Sequence, residues 1–143
     1  MFELSITSRK KRGFNSEREL VERFRELGLW GLRVPASGVG TPIPDVLIFH
    51  NGVIYGFEVK STSKVNVVYY LKDFDNLVDW FKHMEAENFN VSAWLAVRFR
   101  GGTWRFYKIG LDTVKVECNP NSGLALVDLS REIREKGRKL FIR

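Results

Sequence analysis

Cysteine is almost missing from this chain: Cys118 stands alone among 143 residues, which excludes an intrachain disulfide and any multi-cysteine zinc site. Histidine is scarce as well. His50 and His83 fall in different segments with no cysteine partner, so neither is expected to ligate a metal. With only four prolines, no internal repeat and no low-complexity tract, nothing marks a linker, and a chain that is 44% hydrophobic fits one domain spanning 1–143. Long apolar runs are lacking too. The longest, such as Val46 to Phe49, have the length of a strand, and residues 1–12 hold no apolar core followed by a cleavage site, so no membrane partner and a cytoplasmic protein are expected. Gly38-Val39-Gly40 is not followed by the Lys-Ser/Thr of a phosphate loop, and no Ser-His-Asp order presents itself, which sets aside nucleotide hydrolysis and acyl transfer. Acidic residues are the minority sign: 17 against 23 Lys and Arg, a formal charge of +6 that favours a polyanionic partner. The cations cluster in Arg9-Lys10-Lys11-Arg12 and again from Arg131 to Arg143, where Glu132 and Glu135 interleave them and a solvated helix face explains them equally well.

Leu20, Val21, Phe24 and Leu27 recur at helical spacing before Gly28, predicting a helix over 16–27. Ser16 and Glu19 have the form of a capping box at its start, although Phe14 continues the stripe upstream. Strands are predicted at 31–34, 45–49 and 53–60, with a loop over 35–42. A second amphipathic helix runs over 72–87 on a stripe of Phe74, Leu77, Val78, Phe81 and Met84. Two strands follow at 91–99 and 104–109, a short one at 114–116, and a last helix from about Asp128. Trp94, Trp104, Phe106 and Tyr107 lie on these strands and read as core. The order implies an α/β fold with a central mixed sheet flanked by helices.

The chemistry concentrates at Pro44-Asp45 and, thirteen positions after that aspartate, Glu58-Val59-Lys60, with the turn signal Asn51-Gly52 midway between the two acids. A symmetric hairpin there pairs Asp45 directly with Glu58, and Lys60 shares the Glu58 face. Two unit charges about 5 Å apart repel by roughly 3 kcal/mol at an effective dielectric near 20. Glu17 continues the helical stripe 17, 20, 24, 27 and is therefore aimed inward; either it favours the helix dipole or it joins this pair as a third carboxylate. Arg18 would then stand at the rim, within reach of phosphate. Lys60 offsets part of the repulsion, and all-oxygen ligation suits Mg²⁺, with Mn²⁺ able to substitute. Such a centre hydrolyses phosphodiesters. The competing reading is an ordinary surface ladder. Against it, Val46, Ile48, Val53, Tyr55, Phe57 and Val59 fill one face while Leu47, Phe49 and Ile54 occupy the other, implying a strand covered on both sides.

Pro44-Asp45 with Glu58-x-Lys60 resembles the PD-(D/E)xK nuclease signature. Its surroundings narrow the likeness: Arg12-Gly13 with Glu17-Arg18-Glu19-Leu20, Arg33-Val34-Pro35-Ala36-Ser37-Gly38, Pro42-Ile43-Pro44-Asp45 and Glu58-Val59-Lys60-Ser61 together resemble the archaeal Holliday junction resolvases over roughly residues 9–129. The resemblance implies a restriction-endonuclease-like fold and a homodimeric, metal-dependent endonuclease that nicks four-way DNA junctions symmetrically. It implies catalytic roles for Glu17, Asp45, Glu58, Lys60 and the loop serine Ser37, and metal ligation by Glu17, Asp45, Glu58 and Val59. DNA contact falls to Arg9, Lys10, Lys11, Arg12, Arg18 and Arg33, and dimerisation to the helix over 72–87. A sliding clamp stays open as a further partner, as do a related nuclease cutting flaps, nicks or duplex ends and a catalytically silent DNA-binding module. Viruses carry such enzymes too, so the setting is the cytoplasm of a cell or of a virus-infected host. The lead of residues 1–8 and the Arg-rich C-terminal end depart from the family pattern.

Overall fold

In the computed structural model, residues 15–35 and 42–141 are described, and they build a six-stranded mixed sheet between two helical layers. Helix α1 covers 15–26, followed by β1 (Gly31–Arg33), β2 (Val46–His50), β3 (Val53–Ser61) and β4 (Val67–Tyr70). Helix α2 (Leu71–Ala86), β5 (Val91–Arg98), β6 (Trp104–Ile109), β7 (Lys115–Cys118), β8 (Leu124–Ala125) and α3 (Leu126–Phe141) complete it. The sheet order is β1-β2-β3-β5-β6-β8, parallel only between β3 and β5, which α2 connects as a crossover. Strand β3 is central. The period-two pattern explains its covering: Val46, Ile48, Val53, Tyr55 and Phe57 join Leu20, Phe24, Leu129 and Ile133 of α1 and α3 on one face. Leu47 and Ile54 meet the α2 layer on the other, with Phe74, Leu77, Val78 and Trp80.

Two strands lie outside the sequence expectation. Val67-Val68-Tyr69-Tyr70 forms β4, which pairs with β7 in a separate two-stranded sheet beside the α2 layer, and the two-residue β8 closes the far edge of the main sheet. Helix α2 starts one residue earlier than expected, where the Tyr70 amide donates to the Asp73 carboxylate at 2.8 Å. The capping box expected at Ser16 and Glu19 is not formed. Ser16 is buried within α1, and Glu19 reaches instead across to β5 and β6. Layer contact is closest at Gly56: a Cβ there would lie 2.5 Å from the Trp80 ring of α2 and 2.8 Å from the Pro44 ring, so only glycine lets this strand pass.

Candidate active site

Asn51 and Gly52 both take positive φ, as the tight turn requires, and the hairpin runs in the predicted register down to Val46 opposite Phe57. One step further the ladder changes. The Asp45 amide also donates to the Phe57 carbonyl, at 2.9 Å, so two successive residues meet one partner in the manner of a β-bulge. Asp45 therefore does not sit squarely across from Glu58 as the arithmetic alone expects. Its main chain is pinned on both sides, since its carbonyl accepts the Val34 amide at 2.9 Å, and its Oδ2 accepts the Val59 amide at 2.9 Å. These anchors hold the carboxylate at the open end of the sheet.

Glu58 faces that carboxylate. Burial first, then the charge of Asp45, push the Glu58 carboxyl from its ordinary 4.5 up to about 8; Lys60, 3.7 Å away, opposes the shift, while Glu17 adds to it. Glu17 is half-buried and pushed up to about 7, again by burial and then by Asp45, with Arg33 pulling the other way. The inward aim of Glu17 is thus realised. Helix α1 lies on one face of the sheet and the Glu58 side chain belongs, by alternation, to the other, so the two approach Asp45 from opposite layers.

Lys60 stands beside Glu58, and Arg33 ends β1 close enough to act on Glu17. Arg18 is exposed on α1. Val59 contributes its main chain, the amide of which Asp45 already holds. Ser37 and the run Arg9, Lys10, Lys11 and Arg12 lie outside the described residues. On α2, the helix to which the resemblance assigns dimerisation, Phe74, Leu77 and Val78 are buried against the sheet of their own chain.

Burial and the Asp45 charge raise both Glu17 and Glu58, and with Lys60 and Arg33 as the cations opposing them the three carboxylates make a centre short of positive charge. Among the described residues, no three His, Cys, Asp or Glu side chains gather closely enough to form a complete ligand set. The oxygen donors of Asp45 and Glu58 fit a hard divalent cation. Mg²⁺ commonly uses one or two carboxylates and completes its shell with water and substrate phosphate oxygens.

Residues 8–138 match the sequence family described as archaeal Holliday junction resolvase (hjc). The chain belongs to this family. A crossover junction endodeoxyribonuclease Hjc of Sulfurisphaera tokodaii is 31% identical over 144 residues, covering 92% of this chain and 94% of that protein. Another, of Sulfolobus acidocaldarius, is 40% identical over 68 residues, which are 46% of this chain and 48% of that protein. A crossover junction endodeoxyribonuclease of Sulfolobus islandicus rod-shaped virus 1 is 38% identical over 74 residues, 51% and 59% of the two chains. The 1.6 Å structure of the Archaeoglobus fulgidus Hjc superposes with a TM-score of 0.64 at 18% identity, covering 84% of this chain and 96% of that one. The resolvase fold is therefore the restriction-endonuclease-like α/β fold expected from the signature. One feature of this resolvase family member was missed from sequence: Glu19 does not cap a helix but accepts hydrogen bonds from Arg98 and Trp104.

Proposed function

We propose that this chain is a metal-dependent endonuclease that resolves four-way DNA junctions. The observation that carries this reading is the convergence of Asp45, Glu58 and Glu17, with Lys60 alongside, at the open end of the sheet in a chain of the resolvase family. Asp45 and Glu58, with Glu17 and the Val59 main chain beside them, are the groups that would hold Mg²⁺ or Mn²⁺. The bound cation supplies Lewis acidity at the scissile phosphate and acidifies its water. Lys60, anchored at Glu58, presents an ammonium where negative charge grows on the phosphoryl oxygens. Arg33 holds positive charge on the Glu17 side, and Arg18, exposed on α1, would meet the DNA backbone at the rim. A silent DNA-binding module would have lost at least one of Asp45, Glu58 or Lys60, and all three are present.

A homodimer suits the reaction, because a two-fold protein presents paired sites to a junction of approximate two-fold symmetry. With Phe74, Leu77 and Val78 of α2 buried, the exposed large apolar side chains of this helix gather at its first turn. Tyr70 and Leu71 are exposed there beside Val114, whose carbonyl accepts the Leu71 amide at 2.9 Å. Leu71→Glu is expected to give a monomer in sedimentation, and an unchanged dimer would move the interface elsewhere. No helix among the described residues is long and apolar enough to cross a membrane.

The activity is tested by incubating the protein and Asp45→Asn with Mg²⁺ and labelled four-way junction, flap, nicked and linear duplexes of matched sequence. Paired nicks in the junction arms by the parent, with junction binding but no cutting by the variant, are expected. Equal cutting of linear duplex refutes junction selectivity, preference for flaps or nicks assigns the related activity, and undiminished cutting by the variant refutes the site.

A further inference from the structure

Beyond the carboxylate centre, the same end of the sheet carries a polar pocket of about 220 Å³ lined by Asn15, Ser16, Glu19, Ser61 and Arg98. Its construction is specific. Ser61 follows Lys60 in β3 and pairs with Arg98 across the parallel β3–β5 ladder, so both project to the α1 side of the sheet directly beside the centre. Glu19 comes down from α1, and its Oε2 accepts from Arg98 Nε at 2.9 Å and from Trp104 Nε1 at 2.6 Å. Buried Ser16 faces the sheet, and Glu17 and Glu19 flank it on the helix, so α1 sends one carboxylate to Asp45 and the other to Arg98.

The consequence lies in what Arg98 has left over. Arg98 contacts its own chain through Nε, and among the described residues neither Nη group has a protein acceptor, on a side chain that is 32% exposed. A guanidinium fixed at Nε presents its remaining N–H groups as a fork suited to phosphate oxygens. The hydroxyl of Ser61 and the amide of Asn15 line the same pocket.

We propose that Arg98, with Ser61 and Asn15, forms a binding subsite for a backbone phosphate adjacent to the scissile one, and that Glu19 is the positioning residue that sets the Arg98 fork. This rests on the reading of DNA as substrate and adds to it a defined register for the cut strand. The subsite is tested in EDTA by titrating junctions in which single phosphates, from two before to two after the cut, are replaced by neutral methylphosphonates. The parent is expected to lose about ten-fold in affinity at one flanking position, as befits a lost charge-assisted hydrogen bond. Arg98→Ala is expected to lose as much on unmodified DNA and nothing more at that position. Glu19→Ala is expected to abolish the position-specific loss, and Glu19→Gln, which can still accept from Arg98 and Trp104, to restore it. Indifference of the parent to every flanking replacement overturns the subsite while leaving the junction activity standing, and this result needs no variant to fold. Additive losses for Arg98→Ala and the replacement also overturn it. If the parent fails to bind unmodified junction, the subsite falls together with the junction reading.

Discussion

Glu58→Gln is expected to move stability and activity in opposite directions. Without a divalent cation, burial and the Asp45 charge hold the Glu58 carboxyl at about 8 instead of 4.5, on a side chain only 17% exposed and so little screened by solvent. A carboxyl whose folded value is raised binds its proton more tightly in the folded state than in the unfolded one. Its contribution to stability is therefore fully present below about 4.5 and is lost as pH rises to about 8. At pH 7 a shift of this size corresponds to at most about 3 kcal/mol of lost stability. Glutamine has no charge to desolvate, and it gives up only the contact with Lys60, which is of order 0–1 kcal/mol. In EDTA at pH 8 the variant should be more stable than the parent by about 2 kcal/mol, and near pH 4.5 the two should agree within about 1 kcal/mol. Urea unfolding at the two pH values reads the difference as a midpoint change of about 1 M. Junction cleavage by the variant should be lost. A variant that is less stable than the parent at pH 8, or a stability difference that does not grow with pH, refutes the electrostatic account of the site.

Three further outcomes follow from the same geometry. Mg²⁺ or Mn²⁺ should raise the melting temperature of the parent by mass action, more at pH 8 than at pH 5 because the proton held by Glu58 must leave; an equal rise in Asp45→Asn would place the ion elsewhere. Gly56→Ala forces a Cβ into the rings of Trp80 and Pro44 and should destabilise the chain by about 1–3 kcal/mol in thermal melts, with a melt at or above that of the parent counting against this packing. Lys60→Met should leave junction affinity in EDTA within a few-fold and lower single-turnover cleavage about 10²-fold or more; cleavage at the parental rate would remove Lys60 from the mechanism.

What could be read from the residues alone divides along the range of the interactions involved. The hairpin between β2 and β3 is local: its turn chemistry and two-face pattern determine register within fifteen residues, and the observed pairing of Val46 with Phe57 agrees. The inward aim of Glu17 follows from helical period and was equally legible. The bulge at Asp45 was not, because it depends on the Val34 amide engaging the Asp45 carbonyl from β1. Strand β4 has an evident β composition in Val67-Val68-Tyr69-Tyr70, yet its partner is Lys115–Cys118, a choice set by three-dimensional packing. Glu19 was misread for the same reason. At N3 from a serine it has the form of a cap, and its real partners, Arg98 and Trp104, lie 79 and 85 positions away. The stripe of Phe74, Leu77 and Val78 was legible as one face of a helix, and its burial against the sheet is the part that period alone does not decide, since a core face and a dimer face have the same period.

A centre that is short of positive charge weakens the fold around it, so something nearby must keep its groups in place. The structure supplies this with aromatic packing under the site. Phe24 of α1 and Phe57 of β3 have ring centroids 5.2 Å apart, and Phe106 of β6 lies 6.0 and 6.1 Å from them. All three rings are buried, and Trp104 stacks on Phe106 at 6.2 Å. Each belongs to an element that carries a site group: Glu17 and Glu19 on α1, Glu58 and Lys60 on β3, and the Trp104 donor on β6. Aromatic pairs of this kind contribute about 0.5–1.5 kcal/mol each beyond their area. The triangle thus ties the carboxylate centre and the Arg98 pocket to one rigid base, one residue away from Glu58 along β3. Rigid support of that sort is what a catalytic constellation of like charges needs to stay assembled before its cation and DNA arrive.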